Sequence, residues 1–273
     1  IWACTLSPRP GLRRKTPLPP LLARAAADLL AALGLFTRLP LSWLERFAAP
    51  IDLRRSLWIW PLVGGGIGMV TAIVVLFGLS LHLPALIATL CAVMVQLLIT
   101  GALHEDGLAD SADGLIGGRT VEHRLEIMRD SQIGSYGTLA LGTCVALRVA
   151  CIAALSPALL PICLFVSGAI ARAALLAVMR WTPPARRDGL ASALFPLPIR
   201  LTNVTLLVSG GACVLLLPSA ISLTILMAAG LVIVVMRRTA IRMVGGFTGD
   251  ILGASAMLSE LAALLVMVSF FSR

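Results

Sequence analysis

A chain that repeatedly offers stretches of about 20 apolar residues can fold only where those stretches leave water, and this one does so six to seven times. The stretches cover residues 57–79, 85–103, 136–155, 158–179, 201–217, 220–236 and 251–271. Each is long enough to cross roughly 30 Å of hydrocarbon as a helix, the form in which one segment satisfies its own backbone polar groups without water. A mean hydropathy of +0.98 and a charged fraction of 13% place the chain outside the range of soluble domains. The expected fold is all-α: a polytopic integral membrane protein with about six to seven transmembrane helices.

A net charge of +9 would raise the question of nucleic acid in a soluble protein. Here the placement of the charges answers it differently. Of 22 Lys and Arg, 19 fall within residues 1–24, 38–56, 104–135, 180–200 and 237–250, and the connections between them, near residues 80–84, 156–157 and 218–219, carry none. The positive-inside rule therefore puts all five basic stretches on the cytoplasmic side of the inner membrane, with lipid rather than nucleic acid as the macromolecular partner. Trp43, Trp58, Trp60, Trp181 and Tyr136 sit at the edges of those stretches, where amphipathic rings suit the headgroup layer.

Residues 1–20 are rich in Pro and Arg and lack the apolar core of a signal peptide, so they read as a disordered basic tail ahead of one helical membrane domain over 21–273. Residues 21–37 are apolar but short and interrupted by Arg24 and Asp28, which fits a helix on the membrane surface. Gly64 to Gly68, "GGGIG", has the small-residue spacing that lets helices approach closely. The six cysteines show no metal-ligand spacing, and five fall inside apolar spans as small hydrophobes.

Against this background "LHEDGLADSADGL" stands out, with four of only 13 acidic residues within nine positions. Asp106, Asp110 and Asp113 are spaced i, i+4, i+7, so on a helix they share one face and repel one another. A divalent cation removes that repulsion. Hard carboxylate oxygens are what Mg²⁺ takes, with substrate phosphates completing its shell. Gly107 and Gly114 follow two of the aspartates, where the backbone must bend or admit phosphate. Thr120 is placed to cap a second helix through "VEHRLEIMRDSQIG", and the glycine amides and hydroxyls of "SQIGSYG" suit phosphate oxygens.

These two acidic segments resemble the signature of the cobalamin synthase family, the adenosylcobinamide-GDP ribazoletransferases. "FTRLP" at Phe36 to Pro40 and "GGFTGDILGA" at Gly245 to Ala254 resemble the family's opening and closing motifs, and Arg172 falls where the family has an intramembrane Arg. The resemblance covers residues 29–265. It implies a Mg²⁺-dependent reaction at the cytoplasmic face, in which α-ribazole or its 5′-phosphate attacks GDP-activated cobinamide and expels GMP, so the expected partners are a corrinoid and a nucleoside. On that reading Asp106, Asp110 and Asp113 hold metal, and Asp113 or Asp130 is the base that takes the ribazole proton. Arg129, Arg38 and Ser131 contact phosphate, with Glu105 auxiliary. Asp250 either adds a ligand or caps its helix, and His104 orients a neighbouring carboxylate. Arg148, Arg172 and Glu260 lie within spans, where an Arg172–Glu260 pair and a substrate contact are both open.

Two other readings stay open from sequence. Another membrane transferase acting on a diphosphate, of CDP-alcohol or prenyl type, would also use aspartates at a membrane rim. A transporter would place its ionisable residues near mid-membrane, whereas seven of the 13 acids lie between Glu105 and Asp130. The sequence leaves a homo-oligomer open as well.

Overall fold

The computed structural model describes residues 19–41, 43–44, 50–186 and 188–271. The basic tail expected over residues 1–20 lies outside them, apart from Pro19 and Pro20. Among the described residues the chain is helical throughout, with one isolated β-bridge. α1 (Pro20–Phe36) is the segment expected on the membrane surface. Its 17 residues extend about 25 Å, short of a hydrocarbon core. Its buried Asp28 is satisfied by hydrogen bonds from Arg55 Nε at 2.6 Å and Trp58 Nε1 at 3.0 Å, both in the 3₁₀ turn Arg55–Ile59.

Among the described residues six helices are each long and apolar enough to span: α2 (Trp60–Ser80) with its preceding turn, α6 (Ser135–Ala154), α7 (Leu160–Trp181), α9 (Ile199–Leu216), which follows the short α8 (Leu190–Ala193), α10 (Ser219–Val244) and α11 (Gly249–Phe271). The expected span at 85–103 divides. α3 (Ala85–Thr100) ends where Gly101 and Ala102 both turn left-handed, at φ +65° and +56°, and α4 (Leu103–Ala112) leaves at 89° to it. For Ala102 that conformation costs about 1–2 kcal/mol, which the packing of α4 must offset. α10 runs past the apolar window expected to end at 236, so Arg237, Arg238 and Arg242 ride on its last turns before Gly245, at φ +81°, stops it.

α7 and α11 form the centre of the bundle: 78% and 72% of their most apolar stretches are buried, against 17% for α9. The glycine run of α2 packs on α7 as its spacing predicts. A Cβ at Gly64 would stand 2.2 Å from the Gly168 carbonyl oxygen, and one at Gly68 1.9 Å from that of Leu164. Cys144, Cys151, Cys163 and Cys213 are buried free thiols, as expected of small apolar side chains, and Cys91 is free and exposed. Trp60 departs from the headgroup expectation. It is 1% exposed, its indole donates to Ser56 Oγ at 3.1 Å, and its ring meets Phe36 edge-on, so it belongs to the core. Trp43, Trp58, Trp181 and Tyr136 are exposed.

The basic stretches meet at one end of the bundle. Arg54 donates to the Ala193 carbonyl at 2.8 Å, Arg124 to that of Met243 at 3.1 Å and Arg237 to that of Trp181 at 2.8 Å, while the Arg38 amide donates to Ile99 at 2.7 Å.

Candidate active site

The acidic helix α4 crosses that end of the bundle, and its three aspartates meet three environments: Asp106 is exposed, Asp110 half-buried and Asp113 buried. Asp113 opens a π-helical turn, Asp113–Gly117, and both its oxygens are engaged. They accept from the amides of Gly134 at 2.7 Å and Gly137 at 2.8 Å, at the start of α6. The amides that sequence offers to phosphate thus serve a carboxylate of the chain, which satisfies donors that a helix start leaves open. Gly107 and Gly114 neither bend the chain nor open it. A Cβ at Gly107 would stand 2.8 Å from the Asp250 carbonyl oxygen, so this glycine lets α4 press on α11; at Gly114 it would stand 2.5 Å from Met128.

This close approach brings Asp250 beside Asp106 and Asp110. The cap of α11 is supplied by Thr248, whose Oγ1 accepts from the Ile251 amide at 3.2 Å, so Asp250 is not needed for that role. Asp110, on α4 and outside the six spanning helices, has its carboxyl pushed up to about 7, first by burial and then by the negative charges of Asp106, Asp250 and Asp113. Among the described residues no group of three or more His, Cys, Asp and Glu is arranged to hold a metal ion. Asp106, Asp110 and Asp250 are hard oxygen donors of the kind Mg²⁺ takes, with Asp250 drawn against α4 at Gly107, but they do not form a closed three-ligand site.

Residues 121–131 form less helix than expected. Thr120 does cap α5 (Val121–Ile127), accepting from the His123 amide at 3.2 Å. The helix stops after seven residues, and Arg129, Asp130 and Ser131 lie exposed in the loop beyond it. Asp130 accepts from the Gln132 amide at 3.0 Å. Arg129 pairs with Asp188, an exposed ion pair worth about 0–1 kcal/mol and therefore readily exchanged for another anion. Arg38 is exposed at the α3–α4 break, its guanidinium 3.4 Å from the Gly101 carbonyl.

Asp188 belongs to a strap that sequence reading did not single out. Residues 183–185 pair with Phe247: its amide donates to Pro183 at 2.8 Å and its carbonyl accepts from Ala185 at 2.9 Å. Gly246 makes this possible, since a Cβ there would stand 2.3 Å from the Pro183 carbonyl oxygen. The strap carries Arg186, part-buried, with its guanidinium 3.4 Å from the Asp250 carboxylate. The only signal for Arg186 in the sequence is membership of the basic stretch 180–200.

Behind α4, inside the bundle, lies a second polar cluster. Arg148 on α6 contacts Glu105 at 2.9 Å and Glu260 at 3.2 Å, and Arg172 on α7 contacts Glu260 at 3.8 Å. An unpaired charge at mid-membrane costs about 2.5–3.5 kcal/mol on insertion scales, and two glutamates against two arginines remove most of that. His104 is buried beside the Phe36 ring, whose face also meets Arg172. Glu105 and Arg172 are thus joined to each other through Arg148 and Glu260, and set back from Asp106.

Fold and site together define a polytopic helical membrane protein with a carboxylate cluster and neighbouring arginines at its basic end. The chain belongs to the cobalamin-5-phosphate synthase family, whose pattern matches residues 28–268. It is 42% identical over 253 residues to an adenosylcobinamide-GDP ribazoletransferase of Azorhizobium caulinodans, covering 89% of this chain and 96% of that protein. The enzyme of the same name from Bradyrhizobium diazoefficiens is 42% identical over 250 residues, covering 89% and 94%, and that from Xanthobacter autotrophicus 40% over 274 residues, covering 92% and 99%. No solved structure matches. The resemblance read from the motifs is borne out.

Proposed function

We propose that this chain transfers the cobinamide-phosphate moiety of adenosylcobinamide-GDP to α-ribazole or its 5′-phosphate, releasing GMP, with Mg²⁺ as cofactor. The observation that carries the reading is the close approach of α11 at Asp250, paired with Arg186, to the aspartate-bearing helix α4 at Gly107 in a chain of this family. A ribazole hydroxyl forms the new bond to the cobinamide-bound phosphorus, the bond from that phosphorus to the GMP oxygen breaks, and the hydroxyl proton passes to a carboxylate. Such a reaction asks a protein mainly for positioning and charge neutralisation. Asp106, Asp110 and Asp250 are the residues that would hold Mg²⁺, and the chemistry it would supply there is positive charge toward the diphosphate and the leaving GMP. Of the two candidate bases, Asp113 has both oxygens taken by amides, whereas Asp130 has one oxygen clear of its turn, which favours Asp130. Arg129, Arg38, Ser131 and Arg186 are the phosphate contacts this reading assigns.

The reaction is tested with purified protein, adenosylcobinamide-GDP and each ribazole form, with and without Mg²⁺, against a CDP-alcohol control. Turnover only with the CDP-alcohol would replace the reading with that of a lipid-type phosphotransferase. Arg186→Ala is expected to raise KM for adenosylcobinamide-GDP tenfold or more, since a charge-assisted hydrogen bond contributes about 1.5–3 kcal/mol. An unchanged KM would remove Arg186 from the site.

The working end faces the cytoplasm of the inner membrane, supported by its arginines. Single cysteines at positions 119 and 238, in a chain whose own cysteines are replaced by alanine, should resist impermeant maleimide from outside intact cells. Labelling of either would invert the topology.

A further inference from the structure

We propose that Arg148 and Glu260 are positioning residues: with Glu105 and Arg172 they form a charge-neutral buried ladder that fixes α4 against α6 and α11, and so sets Asp106 and Asp110 opposite Asp250. The proposal rests on the functional reading above for its kinetic consequence but not for its structural one. Three observations carry it. First, α4 has no straight continuity with α3, because Gly101 and Ala102 break the helix and turn it by 89°. Its orientation must therefore be held by tertiary contacts. Second, besides the close packing of α4 on α11 at Gly107, both ends of the segment are held to α6 by specific polar contacts. The far end of the segment is tied to α6 through Asp113, and its near end through Glu105, one residue before Asp106, which reaches Arg148 at 2.9 Å. Third, the same guanidinium lies 3.2 Å from Glu260, on the helix that carries Asp250 at its start, and Glu260 is balanced in turn by Arg172. Both arginine side chains are 1% exposed and both glutamates 8%, so no water competes for the pairs. One guanidinium on α6 thus hydrogen-bonds α4 through Nη1 and stands in ion contact with α11 through Nη2, a two-sided geometry that an ammonium does not reproduce.

The ladder dictates its own controls. Removing one member leaves a buried unpaired charge and endangers insertion, whereas Glu105→Gln with Arg148→Met keeps the remaining Arg172–Glu260 pair neutral. Arg148→Lys keeps the charge and loses the planar grip. Each protein is purified and compared with wild type by amide hydrogen exchange over residues 103–112, by turnover number and by KM for each substrate. The expected result is exchange in α4 at least tenfold faster with α7 unchanged, and a turnover number at least tenfold lower with KM values within about twofold. Arg148→Lys should show the same pattern at smaller amplitude. Wild-type exchange in α4 in both variants would overturn the ladder as a tether, and faster exchange with normal turnover would overturn its link to the acidic site. If the double variant does not accumulate, Arg148→Lys decides by the same two readouts. A wild-type protein without ribazole transfer would defeat the proposed function, while the exchange experiment would still decide the tether.

Discussion

Asp106→Asn and Asp110→Asn should each lower ribazole transfer by on the order of 10²–10³-fold in protein that still inserts and accumulates, the effect of removing one preorganised charge-stabilising group. Neither carboxylate supports the fold. Asp106 is exposed, and Asp110 sits half-buried among three like charges, its carboxyl pushed up by that burial and those charges, so losing either charge relieves repulsion. Asp113→Asn should behave differently although it lies on the same run. An amide has one acceptor oxygen where Asp113 uses two, so one amide at the start of α6 loses its partner, at about 1–3 kcal/mol. Turnover at saturating Mg²⁺, with thermal unfolding of each variant beside it, separates the two kinds of loss. Near-normal transfer in Asp106→Asn or Asp110→Asn would refute the cation site, and unchanged unfolding of Asp113→Asn would refute its capping role.

The largest structural effect is expected at Gly68. A methyl there would sit 1.9 Å from the Leu164 carbonyl oxygen and 2.6 Å from its carbon. Backbone on both sides has no rotamer with which to yield, so α2 and α7 must move apart, and α7 is the most buried helix of the bundle. Overpacking of side chains costs about 1–3 kcal/mol, and a backbone clash between two spans exceeds that range. Gly68→Ala should therefore abolish accumulation in the membrane. Gly66→Ala is the matched control, because nothing stands within 4 Å of a Cβ there and the substitution lies on the same helix. Quantifying the membrane-inserted protein for both decides the matter. Equal amounts would mean that α2 and α7 are not packed through this glycine face.

Much of this architecture is legible from the chain because a membrane simplifies the problem. Hydropathy is a property of each residue, so spans announce themselves, and the charges between them sort the connections without any knowledge of contacts. The packing of Gly64 and Gly68 and the Thr120 cap are legible for a related reason, since each depends on residues within one turn or one helix face. The family motifs add the chemistry.

Which residues meet across the bundle is decided elsewhere. Helical spacing puts Asp106, Asp110 and Asp113 on one face, but only the amides of α6 bury Asp113 in a cap and only α11 brings Asp250 to the other two. Arg186 reaches Asp250 across 64 positions because Phe247 holds the strap, and Arg148 reaches Glu105 across 43. The break at Gly101 and Ala102 lies within an unbroken apolar window, where hydropathy does not vary with backbone conformation. The sequence by itself determined the spans, the gathering of arginines at one end and the presence of an acidic helix there, because those follow from the free energy of each residue in water or lipid. Tertiary structure alone decided which carboxylates stand together and which are consumed by the fold, because hydrogen bonds and ion pairs depend on distances that only the closed bundle defines.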